Sequence, residues 1–511
     1  MFAFRSVRLL AATCAGFALP FLSAVASAQN AAGAPPTASA SAPASAIPTP
    51  SSLPSASPLP TAAPPPAGIV PSDVSVELGG TVSPQFALAQ IGAAIARQAQ
   101  LQSGAAPNVT GVSIPHPLHA GDALEALARV TISAGASYAP VAGTTAVHLQ
   151  VETLTQLEPA FLFYSDDPER LVAADDGVLY RNSIAANQPV RLYAYHVSDT
   201  AGRRLYLALR ATNAADVQLL GYAAGPADAF AYVGHVSTLQ YLLERATQES
   251  LVEPIAAGAA YLQQLGYRAL GPGELVAAIF DLRVLDGGPV EVEVIATSAD
   301  GEPPAFLEQP ELPGDGHGRR GEFSLQGVAP IAFDYTAGAP EPAPLPVGRP
   351  TLANLRPGGR PLGGDYGVVR AISLQLSNPA DAPQDVYFYE QASGGTVTTT
   401  IWFAGDPRPI EVPCIRDAAN RYLIKAITLD GGQSRVVGGE YMTDGSSSFP
   451  LLFGLTSDAP SPPPGPYSPD ACNPRTPPPA TPSPAPSPTA SAAPLAPETS
   501  PAAPVPPAPT P

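Results

Sequence analysis

Lysine is all but missing: Lys425 is the only one in 511 residues. Basic residues total 25 against 43 acidic ones, a net charge of −18. No basic stripe forms, so nucleic acid and anionic membrane surfaces are poor partners. Cysteine is nearly as scarce, with three residues. Cys14 falls in the leader, and the pair left, Cys414 and Cys472, predicts a disulfide rather than a thiol nucleophile in an exported chain. Beyond the N-terminus no run of 18 or more apolar residues occurs, which predicts no integral membrane segment after signal cleavage. Also missing are a G-x-S-x-G elbow, an H-E-x-x-H pair, phosphate-binding and dinucleotide glycine loops, and EF-hand spacing. The sequence therefore predicts no catalytic residue, no cofactor and no metal site.

What is present begins with Arg5 and Arg8, an apolar run from Leu9 to Ala26, and the small residues Ala26-Ser27-Ala28. This is the pattern of a secretory signal peptide over 1–28. An Ala/Ser/Pro tract follows over 29–69, and a Pro-rich tail fills 458–511. Such tracts bury too little apolar surface to offset their ordering entropy, so both are expected to be disordered. The expected location is the periplasm or cell surface.

A module over 70–153 comes next. Val74, Val76 and Leu78 alternate as in a strand. Ser83 and Pro84 open a helix whose Leu88, Ile91, Ile95 and Ala99 share one face. "NVTGVSI" predicts a second strand. "GDALEALARVTISAG" predicts a second helix with an Asp122/Glu125 capping box and a terminal Gly135. "ASYAPVAGTTAVHLQVET" predicts a hairpin turning at Ala142-Gly143. Glu125-Ala126-Leu127, Val130, Gly135-Ala136-Ser137-Tyr138 and Val147-His148-Leu149 together resemble the secretin and TonB N-terminal short domain. The resemblance spans 72–152 and implies a small α/β module that docks other envelope proteins. It brings no catalytic residues.

From 154 the chain reads as short alternating strands, predicting an α+β multidomain protein with two Ig-like β-sandwiches, 154–300 and 365–457. A Pro/Gly-rich connection over 301–364 separates them. "ELVAAIFDLRVLDGGPVEVEVIAT" predicts a hairpin turning at Asp286-Gly287. The two halves share a grammar: a strand, an asparagine (Asn213, Asn378), a Val-led strand, then Leu-Asp-Gly-Gly at 285–288 and at 429–432. Duplication and convergent turn chemistry both account for it.

The first sandwich carries an expected helical insert over 237–265. Ser237-Thr238-Leu239-Gln240 reads as its capping box, which puts His235 just outside a helix start rather than in a catalytic dyad. A break near Glu253-Pro254 and a second helical stretch from Ile255 to Leu265 follow. His116 and His119 lack the partners of a metal site. Asp166, Asp167, Asp175 and Asp176 read as a solvated acidic loop, with calcium the sharper alternative. Phe161, Phe163, Tyr164, Tyr193, Tyr195, Tyr387, Phe388, Tyr389 and Trp402 read as core, with an aromatic sugar-binding face as the alternative. The reading that joins these observations is a non-catalytic docking or scaffold protein with envelope proteins as partners. The alternative is a carbohydrate-binding module, with polysaccharide as ligand, or a periplasmic hydrolase.

Overall fold

The computed structural model describes residues 63–465, except 103, 300, 317, 318, 349–351 and 417, together with Cys472. The signal peptide, most of the first linker and most of the tail lie outside the described residues. The architecture is β-rich, with two α-helices among the described residues.

The module contains β1 (Asp73–Gly79), α1 (Pro84–Gln98), β2 (Ala106–Thr110), β3 (Ala123–Ser133) and β4 (Val141–Glu152). Helix α1 starts as its sequence predicts: the Ser83 side chain accepts from the Phe86 N–H at 3.2 Å. A cap of this kind contributes about 1 kcal/mol. Ala87, Ile91, Ala94 and Ile95 bury against the sheet.

The second predicted helix is β3. Helix-forming Ala, Leu, Glu and Arg suggested a 3.6-residue period, but Ala128, Val130 and Ile132 bury while the residues between them are exposed. Pairing with β4 over ten residues overrides the local propensity. Glu125 and Leu127, which carry the short-domain resemblance, thus sit on a strand. The expected turn at Ala142-Gly143 lies inside β4, where Gly143 pairs with Val130. Part of the linker is ordered too: Ala67 is fully buried, and its N–H donates to the Ala139 carbonyl at 2.8 Å.

The first sandwich continues with β5 (Phe161–Ser165), β6 (Arg170–Leu171), β7 (Gly177–Ile184), β8 (Val190–Ser198), β9 (Arg203–Ala211) and β10 (Ala215–Ala227). Helix α2 (Phe230–Thr247) precedes β11 (Ser250–Ile255), β12 (Ala260–Leu270), β13 (Glu274–Gly287) and β14 (Val290–Thr297). The predicted helix over Ile255–Leu265 is thus largely β12, which pairs with β9 along its length. Helix α2 ends because Gln248 takes a left-handed conformation, φ 59°.

The connection is not structureless. It holds β15 (Arg320–Ser324), β16 (Ile331–Thr336) and β17 (Leu345–Val347). The second sandwich completes with β18 (Val369–Ser377), β19 (Gln384–Ala392), β20 (Val397–Phe403), β21 (Ile410–Ile415), β22 (Tyr422–Leu429), β23 (Ser434–Thr443) and β24 (Leu451–Thr456).

One large sheet runs in the order β15-β5-β8-β13-β10-β11-β1-β4-β3-β2, with β6 beside β8. The module is therefore an extension of the first sandwich's own sheet, joined where β1 pairs antiparallel with β11. The smaller sheet β12-β9-β14-β7 packs on it, burying Leu207, Leu209, Val292 and Val294 against Leu192, Phe280 and Leu282. Strands β13 and β14 do not form the predicted hairpin. The turn at Asp286-Gly287 instead hands the chain from one sheet to the other. The second sandwich stacks β16-β18-β23-β20-β21 on β17-β24-β19-β22 around Phe388, Phe403, Tyr441 and Phe453.

Cys414 in β21 and Cys472 lie at disulfide distance, with Cα atoms 5.2 Å apart, inside the span a disulfide bridges. The start of the tail also stays attached: the Leu423 N–H donates to the Ser461 carbonyl at 2.8 Å.

Candidate functional site: a polar seam and a tyrosine pocket

Helix α2 lies on the outer face of the large sheet and meets the second sandwich. Gly234, His235, Ser237, Thr238, Tyr241 and Arg245 bury on one face, at helical spacing. That face is polar because what it meets is polar. A Cβ on Gly234 would stand 2.5–2.7 Å from the Gly445 backbone, so glycine is what lets the helix and the loop after β23 approach this closely. Ser237 and Thr238, expected as a cap, are inside the helix and donate back to the Gly234 carbonyl at 2.8 and 3.0 Å.

His235 is in the helix, not outside it, and is 2% exposed. Its Nδ1 donates to Asp444 at 2.8 Å and its Nε2 donates to Glu411 at 2.8 Å. Thr400 donates to the other Asp444 oxygen at 2.9 Å. Burial alone pulls the imidazole pKa down, but the Asp444 and Glu411 carboxylates outweigh it and hold the pKa at about 9. With both ring nitrogens donating, His235 has no lone pair to act as a base at neutral pH. It is an ionic rivet between the helix and the second sandwich.

A second rivet sits beside it. Arg191, 2% exposed, donates to both Asp281 oxygens at 2.7 and 3.2 Å. The Tyr241 hydroxyl donates to Asp281 at 2.9 Å. Arg245 reaches Glu158 at 2.8 Å and Glu440, on β23, at 3.2 Å.

The structure also assembles a Ser–His pair that the sequence did not suggest. Ser165 lies 2.9 Å from His196 Nε2, and His196 Nδ1 donates to the Pro168 carbonyl at 2.8 Å. That carbonyl can only accept, so Nε2 accepts the hydrogen bond from the Ser165 hydroxyl. Burial pushes the His196 pKa down to about 4, keeping the ring neutral. Both residues are 0% exposed, so no substrate reaches the hydroxyl.

On the opposite face of β5 and β8 the seam opens into a cavity of about 120 Å³. Tyr164, Tyr193, Tyr195 and Tyr366 line it. Tyr164 stacks on Tyr193 at 5.0 Å between centroids, and Tyr193 on Tyr195 at 6.5 Å. Tyr193 thus has a stacked neighbour in both Tyr164 and Tyr195. Tyr195 bonds to Ser446 at 2.5 Å and Tyr366 donates to the Ser447 carbonyl. Asp166, Glu169 and Arg319 complete the wall. Asp166 is 5% exposed, and its Oδ1 has no hydrogen-bond partner among the described residues. Burial, then the Glu169 charge, raise its pKa well above the usual carboxylate range, against the pull of Arg319.

The other sequence candidates scatter. The remaining aspartates of the expected loop take separate partners. Asp167 accepts from the Asp315 N–H, Asp175 from the Val172 N–H, and Asp176 pairs with Arg203. His116 bonds its neighbouring Pro117 carbonyl at 3.1 Å, and the His119 N–H donates to Asp122. Phe163 and Phe388 are core, while Trp402 packs half-buried at the seam. A cavity of about 530 Å³ is a groove along β1 and β11, where Arg97 is occupied by Glu253 at 3.2 Å and by the Tyr261 ring.

No protein-family model and no curated protein matches this chain. Solved structures give remote likenesses. Lac15 from a marine microbial metagenome is 12% identical over 68% of this chain and 77% of that one, with a TM-score of 0.11. Tripeptidyl peptidase 2 is 10% identical over 69% of this chain and 29% of that one, with a TM-score of 0.14. A multi-copper oxidase from Pseudomonas Thermotolerans is 12% identical over 75% of this chain and 95% of that one, with a TM-score of 0.10. At such TM-scores these likenesses carry no argument about fold or activity, and they place the chain in no family.

Proposed function

We propose that this is an exported protein of a bacterial envelope, in the periplasm or at the cell surface, with a docking or scaffold role and no catalytic one. The observation that carries the reading is the continuity of the large sheet. Through β1 and β11 the module continues the first sandwich's sheet, and α1 covers one face of that extension only. Along the uncovered face stand Asp73, Ser75, Glu125, Leu127 and Gln150, with Leu127 60% exposed at its centre. An arm with a free sheet face suits docking to another envelope protein. The buried charge pairs that His235 and Arg245 make with the second sandwich support the same reading, because they fasten the sandwiches together. Among the described residues no helix is long and apolar enough to cross a membrane.

The test is cross-linking of the full chain in native envelope, wild type against Leu127→Asp. Loss of one partner, with an unchanged thermal midpoint, supports docking through this face. An identical partner set overturns it. Turnover of a chromogenic ester or glycoside that disappears in Ser165→Ala would overturn the non-catalytic reading.

A further inference from the structure

The tyrosine pocket is not explained by docking through the module, which lies at the other end of the large sheet. Its chemistry is specific. Asp166 is a side chain more than nine-tenths buried, set in the cavity wall with an oxygen that no protein group satisfies. Left unpartnered, a buried polar atom of this kind costs roughly 1–3 kcal/mol. The Tyr164 and Tyr193 hydroxyls also line the cavity and take no partner from the described protein.

We propose that this pocket binds a neutral, hydroxyl-rich ligand: a free monosaccharide, or the terminal sugar of a glycan. Three features select that class. First, the wall alternates donors and acceptors. Phenol hydroxyls do both, Glu169 accepts, and Arg319 donates through a planar fork. Adjacent hydroxyls on a sugar ring are the complementary set. Second, the cavity is small. At about 120 Å³ it is below the ~300–1,000 Å³ of drug-sized sites, so at most one ring enters and no polymer does. Third, the ring faces are stacked on one another, so a quaternary ammonium ion has no open aromatic box to enter. The Glu169 carboxylate and the Arg319 guanidinium also oppose each other in charge.

Ser446 and Tyr366 come from the second sandwich, Tyr164 and Tyr193 from the first. A ligand held here therefore reads both sandwiches at once. The seam that His235 and Arg245 fasten is what keeps the two halves of the pocket in register.

The test is saturation-transfer-difference NMR on the full chain with a panel of neutral hexoses, their disaccharides and trisaccharides, and choline as the cationic probe. One neutral sugar is expected to bind saturably. Tyr164→Phe and Glu169→Gln are each expected to weaken it about tenfold, the loss of roughly one hydrogen bond. Tyr164→Phe removes only an unpartnered hydroxyl and Glu169 is half-exposed, so both variants should keep the wild-type thermal midpoint. A hexose that binds as well as its oligosaccharides identifies a free-sugar ligand, and binding by oligosaccharides alone identifies a glycan terminus. Absence of binding by every sugar, tighter binding of choline, or sugar binding indifferent to both variants overturns the proposal.

Discussion

Replacing His235 by glutamine tests whether the seam is held by charge. Glutamine keeps a donor near Asp444 but stays neutral at every pH. In the folded protein the imidazole pKa stands at about 9, against 6.5 for the ordinary group. A folded pKa raised above the unfolded one means that the folded state holds the proton more tightly. The resulting stabilisation is complete below pH 6.5 and is lost as pH rises through 9. At about 1.4 kcal/mol per pH unit the gap amounts to about 3 kcal/mol. Removing the cation also strands Asp444, which is 0% exposed. Breaking a buried pair from one side costs roughly 3–5 kcal/mol, so the two routes to the figure agree.

The assay is urea unfolding of wild type and His235→Gln across pH 6 to 10. Other buried carboxylates shift in the same direction, Asp166 and Glu293 among them. Burial raises Glu244 and Glu390 to about 8, so each also withdraws stability as pH rises from 4.5. All are present in wild type and variant, and the difference between the two curves removes them. The variant is expected to be weaker by about 3 kcal/mol at pH 6, with the gap mostly closed by pH 10. A gap that stays constant across this range would refute the ionic rivet and leave His235 as packing.

Three further outcomes follow from the geometry. Cys414→Ser should lower stability by about 4 kcal/mol in the chain-entropy model for a separation of 58 residues, and non-reducing peptide mapping should recover the Cys414–Cys472 peptide. Gly234→Ala should destabilise by about 2 kcal/mol or more, because the new methyl overlaps the Gly445 backbone, while its neighbour Phe230→Leu on the helix start should be mild; calorimetry on both reads the contrast. Gly431→Ala should lower the thermal midpoint, since a Cβ there would stand 2.1 Å from the Asp381 carbonyl oxygen, whereas Gly394→Ala, with open space around it, should not.

Strand alternation made most of the β-structure readable, and Ser83-Pro84 marked α1 because its capping chemistry is local. The failures have a common cause. Residues 123–133 and 255–265 carry helix formers, and only pairing with β4 and β9 decides their fate. The seam was less accessible still. Its groups come from β5, β8, α2, β21 and the loop after β23, and no spacing along the chain announces their meeting. One signal was present at His235: Gly234, Ser237, Thr238, Tyr241 and Arg245 make a polar face at helical spacing, and a polar face with glycine in it fits close packing against polar backbone.

The repeated grammar of the two halves has a structural counterpart. In the first sandwich β9 pairs with β14 in one sheet and β10 with β13 in the other. In the second, β18 pairs with β23 and β19 with β22, again in separate sheets. In each unit one crossing between sheets falls at the asparagine and another at Leu-Asp-Gly-Gly. The two crossings must pass each other at one end of the sandwich. A Cβ on Gly287 would stand 2.0 Å from the Ala214 carbonyl oxygen of the other crossing, and one on Gly431 would meet Asp381 in the same way. In the second unit the Asn378 amide also donates to the Leu429 and Asp430 carbonyls, each at 3.1 Å, tying one crossing to the other. Glycine at that position is thus a requirement of the crossing itself. Two unrelated sandwiches built this way would arrive at the same residue, so the shared glycine speaks for the shared topology and leaves common descent an independent question.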